Sequence, residues 1–130
     1  MIIQLGHARN SDFQNELYIP IKQASFFPEH TFIFPHDEVE LDSRESLKSI
    51  DIFIAEVSIP ATGLGIEIGF ASAYGKRILC VYKKGSKVSA SLKKVTENYV
   101  EYDNVDDMVN KVALFLDTLG VSSRAKGDSP

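Results

Sequence analysis

The sequence predicts a single α/β domain with a flavodoxin-like (Rossmann-like) fold, in which a parallel five-stranded sheet lies between helices. Short apolar segments alternate with helical segments of about ten residues along the chain, which is typical of parallel strands joined by helical crossovers. Two of these segments are nearly continuous apolar runs, as in strands that are covered on both faces. The chain has 130 residues, which is the length of one domain.

Five strands are expected, and each is a short apolar run bounded by residues that end a strand. They span residues 2–5, 31–34, 51–57, 77–83 and 99–102. Gly6 ends the first strand and Pro35 ends the second. The third and fourth are the apolar runs typical of buried parallel strands, and the short fifth strand is expected at an edge of the sheet.

Helices are expected between the strands and after the last one, at residues 11–27, 43–50, 64–74, 89–95 and 104–120. Pro20 predicts that the first helix is kinked or ends early. Asp42 and Glu45 form a capping box at the start of the second helix, and Asn104 with Asp107 forms another at the start of the last.

Gly120 is expected to end the last helix, which gives an α/β domain at residues 1–120. Residues 121–130 are small and polar, and they are expected to form a disordered tail. The strand order 2-1-3-4-5 places a topological switch point between strands 1 and 3. A ligand is therefore expected outside the carboxyl ends of these strands, beside the loops at residues 6–10 and 58–65.

The charge pattern disfavours a polynucleotide partner, because the net charge is −4. Residues 76–94 nevertheless carry seven basic side chains and no acidic one. A solvated surface explains such a stretch, and a small anionic ligand or partner bound near it is the second explanation.

The cysteine content and the hydropathy indicate a cytoplasmic protein. Cys80 is the only cysteine, so an internal disulfide cannot form. No apolar run approaches the roughly 18 residues that a membrane span needs, and residues 1–7 lack the regions of a signal peptide. His30 and His36 do not have the spacing of metal ligands, so neither a metal nor another cofactor is expected.

The loop after the third strand carries the strongest chemical signal. Gly63 and Gly65 allow the backbone to approach a ligand, and the helix that follows offers free N–H groups. Glu67 comes next among apolar neighbours, where desolvation makes a carboxylate more nucleophilic or easier to protonate. The alternative is that Glu67 faces water and complements the helix dipole.

The string at residues 51–83, DIFIAEVSIPATGLGIEIGFASAYGKRILCVYK, resembles the nucleoside 2-deoxyribosyltransferase superfamily, and most of all its 2'-deoxynucleoside 5'-phosphate N-hydrolase branch. That family has a strand ending in Ala-Glu-Val, a Pro-Ser-x-Gly-x-Gly-x-Glu-Leu-Gly segment, and then Gly-Lys-Pro-Ile-Leu. The resemblance implies a flavodoxin-like fold and cleavage of the N-glycosidic bond of a (deoxy)nucleoside or its 5'-monophosphate, by hydrolysis or by base exchange.

The resemblance also assigns roles to residues. Glu67 matches the nucleophile, a carboxylate that stabilises or traps the oxocarbenium-like sugar. The family's acidic residue before strand 3 aligns near Ser43, so the neighbouring Asp42 is expected to help the base leave. Substrate contacts are expected from Gly6, His7, Arg9, Ala61, Thr62, Gly63, Gly65, Ser89 and Ser91.

Three family positions differ in this chain. An aromatic residue in the first strand is replaced at Ile3, and the loop serine of Gly-Ser-x-Arg is His7. The serine that contacts a 5'-phosphate falls at Ala61, where Thr62 is a possible substitute. These departures favour an alternative, a non-catalytic nucleotide-binding or sensor module on the same fold. A receiver-like signalling domain has the same alternation, but strand 3 offers no phosphoacceptor aspartate.

The resemblance further implies a homodimer, because in the family a serine after strand 4 reaches into the neighbouring subunit's site. Ser89 and Ser91 are the candidates here, and both are equally typical of helix N-caps. Arg9 is expected to contact phosphate or sugar, with a solvated side chain as the alternative. His7 is more typical of a local hydrogen-bonding residue than of a catalyst.

Overall fold

The computed structural model describes the backbone of residues 1–38 and 40–128 and, apart from residue 39, the side chains as far as residue 120. It contains a fully parallel sheet in the order β2-β1-β3-β4-β5, so the predicted flavodoxin-like fold is confirmed. The strands are β1 (Ile2–His7), β2 (Thr31–Ile33), β3 (Ile52–Glu56), β4 (Arg77–Lys83) and β5 (Tyr99–Tyr102).

Helices cover both faces of this sheet. The α-helices are α1 (Ile19–Gln23), α2 (Ser43–Ser46), α3 (Thr62–Ala73) and α4 (Val105–Asp128). A π-helical turn at Gln14–Tyr18 precedes α1, and short 3₁₀ turns lie at Phe27–Glu29, Pro35–Asp37, Leu47–Ser49 and Ala90–Lys94. In the described part of the chain, no helix is long and apolar enough to cross a membrane.

Each strand contributes side chains to two separate hydrophobic cores, because successive residues point to opposite faces of a sheet. Ile52 and Ile54 of β3 pack with the π-helical turn, α1 and α4 on one face. Phe53 and Ala55 pack with α3 and the Leu47–Ser49 turn on the other. This double burial explains why the third and fourth strands are continuous apolar runs in the sequence.

Three predicted helices differ from the structure. The segment at residues 11–27 is a π-helical turn followed by α1, because Pro20 has no N–H and its ring disfavours a regular α-helix one turn earlier. The helix at residues 89–95 is the 3₁₀ turn Ala90–Lys94. The last helix continues past Gly120, since glycine weakens a helix without removing its hydrogen bonds.

The disordered tail predicted for residues 121–130 is contradicted where the backbone is described, because α4 extends to Asp128. Residues 129 and 130 lie outside the described residues. The predicted domain boundary at residue 120 therefore does not coincide with the end of a helix.

Candidate active site

The carboxyl ends of β1, β3 and β4 meet at one edge of the sheet, as parallel pairing requires. His7, Glu56 and Lys83 are the last residues of these three strands. The loops expected to hold a ligand therefore leave the sheet side by side. The structure places Glu67 in the second turn of α3, the helix that follows β3.

Glu67 is half-buried, and its surroundings act on its carboxylate in opposite directions. Burial raises the pKa of Glu67, because a carboxylate loses hydration in a partly apolar site. A side-chain hydrogen bond from Ser43 and the nearby charges of His36 and Arg44 lower it. The side chain thus lies in a desolvated and hydrogen-bonded position, and the alternative of a carboxylate fully exposed to water does not describe it.

Asp42 is the N-cap of α2, as the capping box predicts. Its Oδ1 atom accepts hydrogen bonds from the backbone N–H groups of Arg44 at 3.0 Å and Glu45 at 3.2 Å. The side chain is exposed, and it is the next residue, Ser43, that contacts Glu67. The structure therefore gives Asp42 a structural role and offers no support for it as the acid on the base side.

Gln4 fixes the position of Ser43, and sequence reasoning missed this residue. The Gln4 side chain is fully buried in β1; its Nε2 donates to the carbonyl of Ser43 at 2.9 Å. Its Oε1 accepts from the hydroxyl of Ser46 at 2.6 Å. A buried polar side chain needs such partners, so the signal in the sequence was the single polar residue within an apolar strand.

A histidine–tyrosine cluster lies beside Glu67, and only His7 of this cluster was among the predicted site residues. His7 Nε2 lies 2.7 Å from the Tyr18 hydroxyl and 3.2 Å from Nδ1 of His36. His7 Nδ1 lies 3.1 Å from the carbonyl oxygen of Ala8. The Phe13 ring stacks on His7 with the ring centroids 4.1 Å apart.

Burial keeps His7 and Tyr18 of this cluster in their neutral forms near pH 7. Burial and the neighbouring His36 together lower the pKa of His7 to about 4, so the imidazole is neutral near pH 7. Burial raises the pKa of Tyr18 to about 12, and the charges of Asp37 and Glu67 act in the same direction. Tyr18 is therefore a permanent hydroxyl donor close to the Glu67 carboxylate.

A cavity of about 510 Å³ brings several predicted substrate contacts together. Ala61, Thr62 and Gly65, at the start of α3, line it together with Ser89 and Ser91 of the same chain. A Cβ atom at Gly63 or Gly65 would meet no atom within 4 Å, so the backbone there is open to a ligand. The Ser89 hydroxyl also accepts from the N–H of Ser91 at 3.4 Å, as an N-cap does.

A smaller cavity of about 190 Å³ lies between the ends of β1, β3 and β4. Glu56 closes one side: its carboxylate accepts from the backbone N–H of Ser58 at 2.7 Å, from the Ser58 hydroxyl at 2.9 Å and from the Tyr102 hydroxyl. Lys83 forms an ion pair with Glu16 across the same cavity. Glu56 thus holds the loop after β3, and Lys83 is neutralised by an acidic partner.

The remaining predicted contacts are Gly6, within β1, and Arg9, in the loop that follows it. Gly6 is enclosed, because a Cβ atom there would meet the ring of Phe53 at 2.3 Å and Leu64 at 3.0 Å. Its role is therefore close packing of β1 against α3. Arg9 is exposed in the following loop, so both explanations of its side chain, a phosphate contact and a solvated charge, remain predictions.

Comparison with known proteins finds related N-hydrolases. Over 83 residues, the chain is 35% identical to a protein of Thermofilum pendens provisionally named 2'-deoxynucleoside 5'-phosphate N-hydrolase 1; the match covers 60% of this chain and 57% of that protein. Over 49 residues it is 43% identical to 5-hydroxymethyl-dUMP N-hydrolase of Branchiostoma floridae, covering 36% of this chain and 47% of that one. The chain thus spans about half the length of these relatives. No protein family profile matches the sequence.

The fold has a counterpart among solved structures. The CMP N-glycosidase BcmB of Clostridium botulinum superimposes with a TM-score of 0.63 at 23% sequence identity, covering 87% of this chain and 99% of that one. This likeness supports the fold, and the sequence matches support the relationship that residues 51–83 predict. These matches support the resemblance of the chain to the nucleoside 2-deoxyribosyltransferase superfamily, and these relatives are named as nucleotide N-hydrolases.

Proposed function

We propose that this protein cleaves the N-glycosidic bond of a (deoxy)nucleoside or its 5'-monophosphate, with Glu67 as the nucleophile. The observation that carries the proposal is the Glu67 carboxylate, half-buried beside the ligand-facing edge of the sheet and hydrogen-bonded by Ser43. A partly desolvated carboxylate held by one hydroxyl is suited to attack an electron-poor sugar carbon. The related proteins that act on nucleotides support the same reaction class.

In the proposed reaction, a Glu67 oxygen forms a bond to C1' while the bond from C1' to the base breaks. The base leaves with the bonding electron pair and takes up a proton. Water then attacks C1', the ester to Glu67 breaks, and the water loses a proton as the free sugar forms. Ser43 and Gln4 keep the carboxylate and its hydroxyl partner in place during both steps.

The cavity of about 510 Å³ is the proposed site of the 5'-phosphate. It combines the start of α3, which favours anions, with the hydroxyls of Thr62, Ser89 and Ser91. These hydroxyls would compensate for Ala61, the position at which the family's serine is missing. A monophosphate is therefore the expected substrate in preference to a bare nucleoside.

Hydrolysis is the proposed outcome, because the relatives are named as N-hydrolases; transfer to a second base remains the alternative. A homodimer is proposed because α3 leaves Ile66 and Phe70 exposed beside the phosphate cavity, at 42% and 37%. No metal or organic cofactor enters the proposed reaction. A cytoplasmic location is proposed on the basis of Cys80, a free thiol buried in β4.

Release of free base from a panel of nucleosides and their 5'-monophosphates tests the function. Wild-type protein should release base from at least one monophosphate, and Glu67→Gln should lower kcat/KM by at least about 10³-fold. Glu45→Gln is the matched control, because Glu45 is exposed on α2 and pairs with Lys48. Absence of turnover on every substrate, or full turnover by Glu67→Gln, would overturn the proposal.

The second candidate function is a nucleotide-binding or sensor module without catalysis. It is favoured by Ile3, which replaces the family's first-strand aromatic residue, and by Ala61. It predicts that calorimetry detects binding of a monophosphate while no base is released during prolonged incubation. Turnover that depends on Glu67 would exclude it.

A further inference from the structure

We infer that His36 is the residue that exchanges a proton with the departing base. The inference rests on the proposed N-glycosidic cleavage and adds a residue to it. It follows from the hydrogen-bond geometry around His7, from the way the Pro35–Asp37 turn is anchored, and from the closeness of His36 to Glu67.

The hydrogen bonds around His7 orient the ring of His36. A carbonyl oxygen only accepts, so the contact of His7 Nδ1 with the Ala8 carbonyl places the His7 proton on Nδ1. His7 Nε2 is then an acceptor, and it receives the Tyr18 hydroxyl at 2.7 Å. Nδ1 of His36 faces the same His7 nitrogen at 3.2 Å. Nε2 of His36, on the other side of the ring, is therefore the nitrogen left for a substrate.

The Pro35–Asp37 turn that carries His36 is held from two sides. The backbone N–H of His36 donates to the Tyr18 hydroxyl at 3.2 Å. The Asp37 carboxylate accepts from Lys22 at 2.7 Å and from Gln14 at 2.9 Å, which ties the turn to the first helical segment. The imidazole itself is exposed. His36 thus combines a fixed orientation with access to a bound substrate.

His36 lies within electrostatic reach of Glu67, the proposed nucleophile, since its positive form favours the Glu67 carboxylate. Ser43, which contacts Glu67, has a hydroxyl that does not ionise near neutral pH. Asp42 is occupied as the cap of α2. Among the described side chains that act on Glu67, His36 is therefore the one with an imidazole, the side chain that most often serves in acid–base catalysis.

The two proposed steps balance with His36 in this role. As the bond from C1' to the base breaks, protonated His36 gives its Nε2 proton to the base, which leaves neutral. Neutral His36 then accepts the proton of the water that attacks C1', and this restores the original protonation state. His7 and Tyr18 are positioning residues in this scheme, because both are buried and both contact His36.

A leaving-group comparison tests the inference. His36→Asn keeps a donor for His7 Nε2 and removes the proton-exchanging nitrogen. It should lower kcat/KM about 10²-fold on a monophosphate that the wild type cleaves. In the same monophosphate with an N-methylated base, the base is cationic and leaves as a neutral molecule without taking up a proton. On that substrate His36→Asn should lower kcat/KM by less than about threefold. Glu67→Gln should abolish both reactions. His30→Asn is the control. His30 precedes β2, at the amino-terminal end of the strands and away from the candidate site, and it contacts the Met1 amino group.

A second readout does not depend on the leaving group. Added imidazole should raise the kcat/KM of His36→Ala at least about tenfold, since a free imidazole can supply the missing proton. Equal losses of His36→Asn on both substrates, or wild-type activity in this variant, would overturn the inference and leave the proposed function standing. Lack of turnover by the wild type would overturn the proposed function itself, and with it the role of His36.

Discussion

Single side chains determine which groups can donate or accept a proton at the carboxyl ends of the strands. The acid of the family that this chain resembles aligns near Ser43, and the family's first-strand aromatic residue is replaced by Ile3. The structure brings Tyr18 and His36 close to Glu67 from other parts of the chain. Sequence reasoning identified Glu67 and His7 because a motif marks them. It missed Tyr18 and His36 because only the folded backbone brings residues that are distant in sequence together.

The buried neutral state of His7 predicts a stability that falls in acid. The pKa of His7 is about 4 in the folded protein and about 6.5 when unfolded, so the unfolded chain binds more protons below pH 6.5. The free energy of unfolding should fall by about 2 kcal/mol between pH 7 and pH 5 because of this group. Urea unfolding at both pH values measures this loss.

His7→Gln serves as the comparison for that measurement, because glutamine does not titrate in this range. The variant should lose the part of the pH dependence that His7 contributes, whatever its stability at pH 7. If the free energy of unfolding fell equally with decreasing pH in the wild type and in His7→Gln, His7 would not be the group responsible for the loss.

At the scale of elements, the parallel order and the crossovers followed from the alternation of apolar and helical segments. The departures occur where local chemistry overrides the pattern. Pro20 turns the first predicted helix into a π-helical turn and a short α1. Gly120 does not stop α4, which has 24 residues. Helix periodicity reports the buried face, but it says little about the hydrogen-bond type of a turn or about helix ends.

The space around two glycines predicts different effects of alanine substitution on the free energy of unfolding. Gly6 of β1 is tightly enclosed, whereas Gly69 of α3 is open. Gly6→Ala should destabilise the protein by about 1–3 kcal/mol, because the new Cβ would lie 2.3 Å from Cζ of Phe53. Gly69→Ala in α3 should be neutral or stabilise it by up to about 1 kcal/mol, since its Cβ meets no atom within 4 Å. Denaturant unfolding of both variants checks this; similar values would contradict the close packing at Gly6.

At the scale of the whole molecule, the charge is unevenly placed. The basic stretch at residues 76–94 lies along β4 and the turn after it, and it adjoins the proposed phosphate cavity through Ser89 and Ser91. Lys83, within this stretch, is neutralised by Glu16. An overall negative protein with basic residues beside one cavity is suited to a small anion, and this agrees with a monophosphate substrate.

The exposed apolar side of α3 predicts the oligomeric state. If Ile66 and Phe70 pack against a second copy, the wild type should have twice the chain mass of 14.4 kDa by light scattering. Ile66→Glu should give a monomer, because an unpaired carboxylate in an apolar interface loses its hydration. Leu114→Glu is the matched control, since Leu114 is 65% exposed on α4 on the other face of the sheet.

The same variants show whether the active site depends on the second subunit. If the site is completed across the interface, Ile66→Glu should be a monomer and should no longer release the base. Leu114→Glu should remain a dimer and should keep its activity. This dependence is expected because the phosphate cavity is open to solvent beside α3, and a partner there would exclude water from the anion. A monomeric wild type with full turnover, or a dimer that survives Ile66→Glu, would refute an interface on α3.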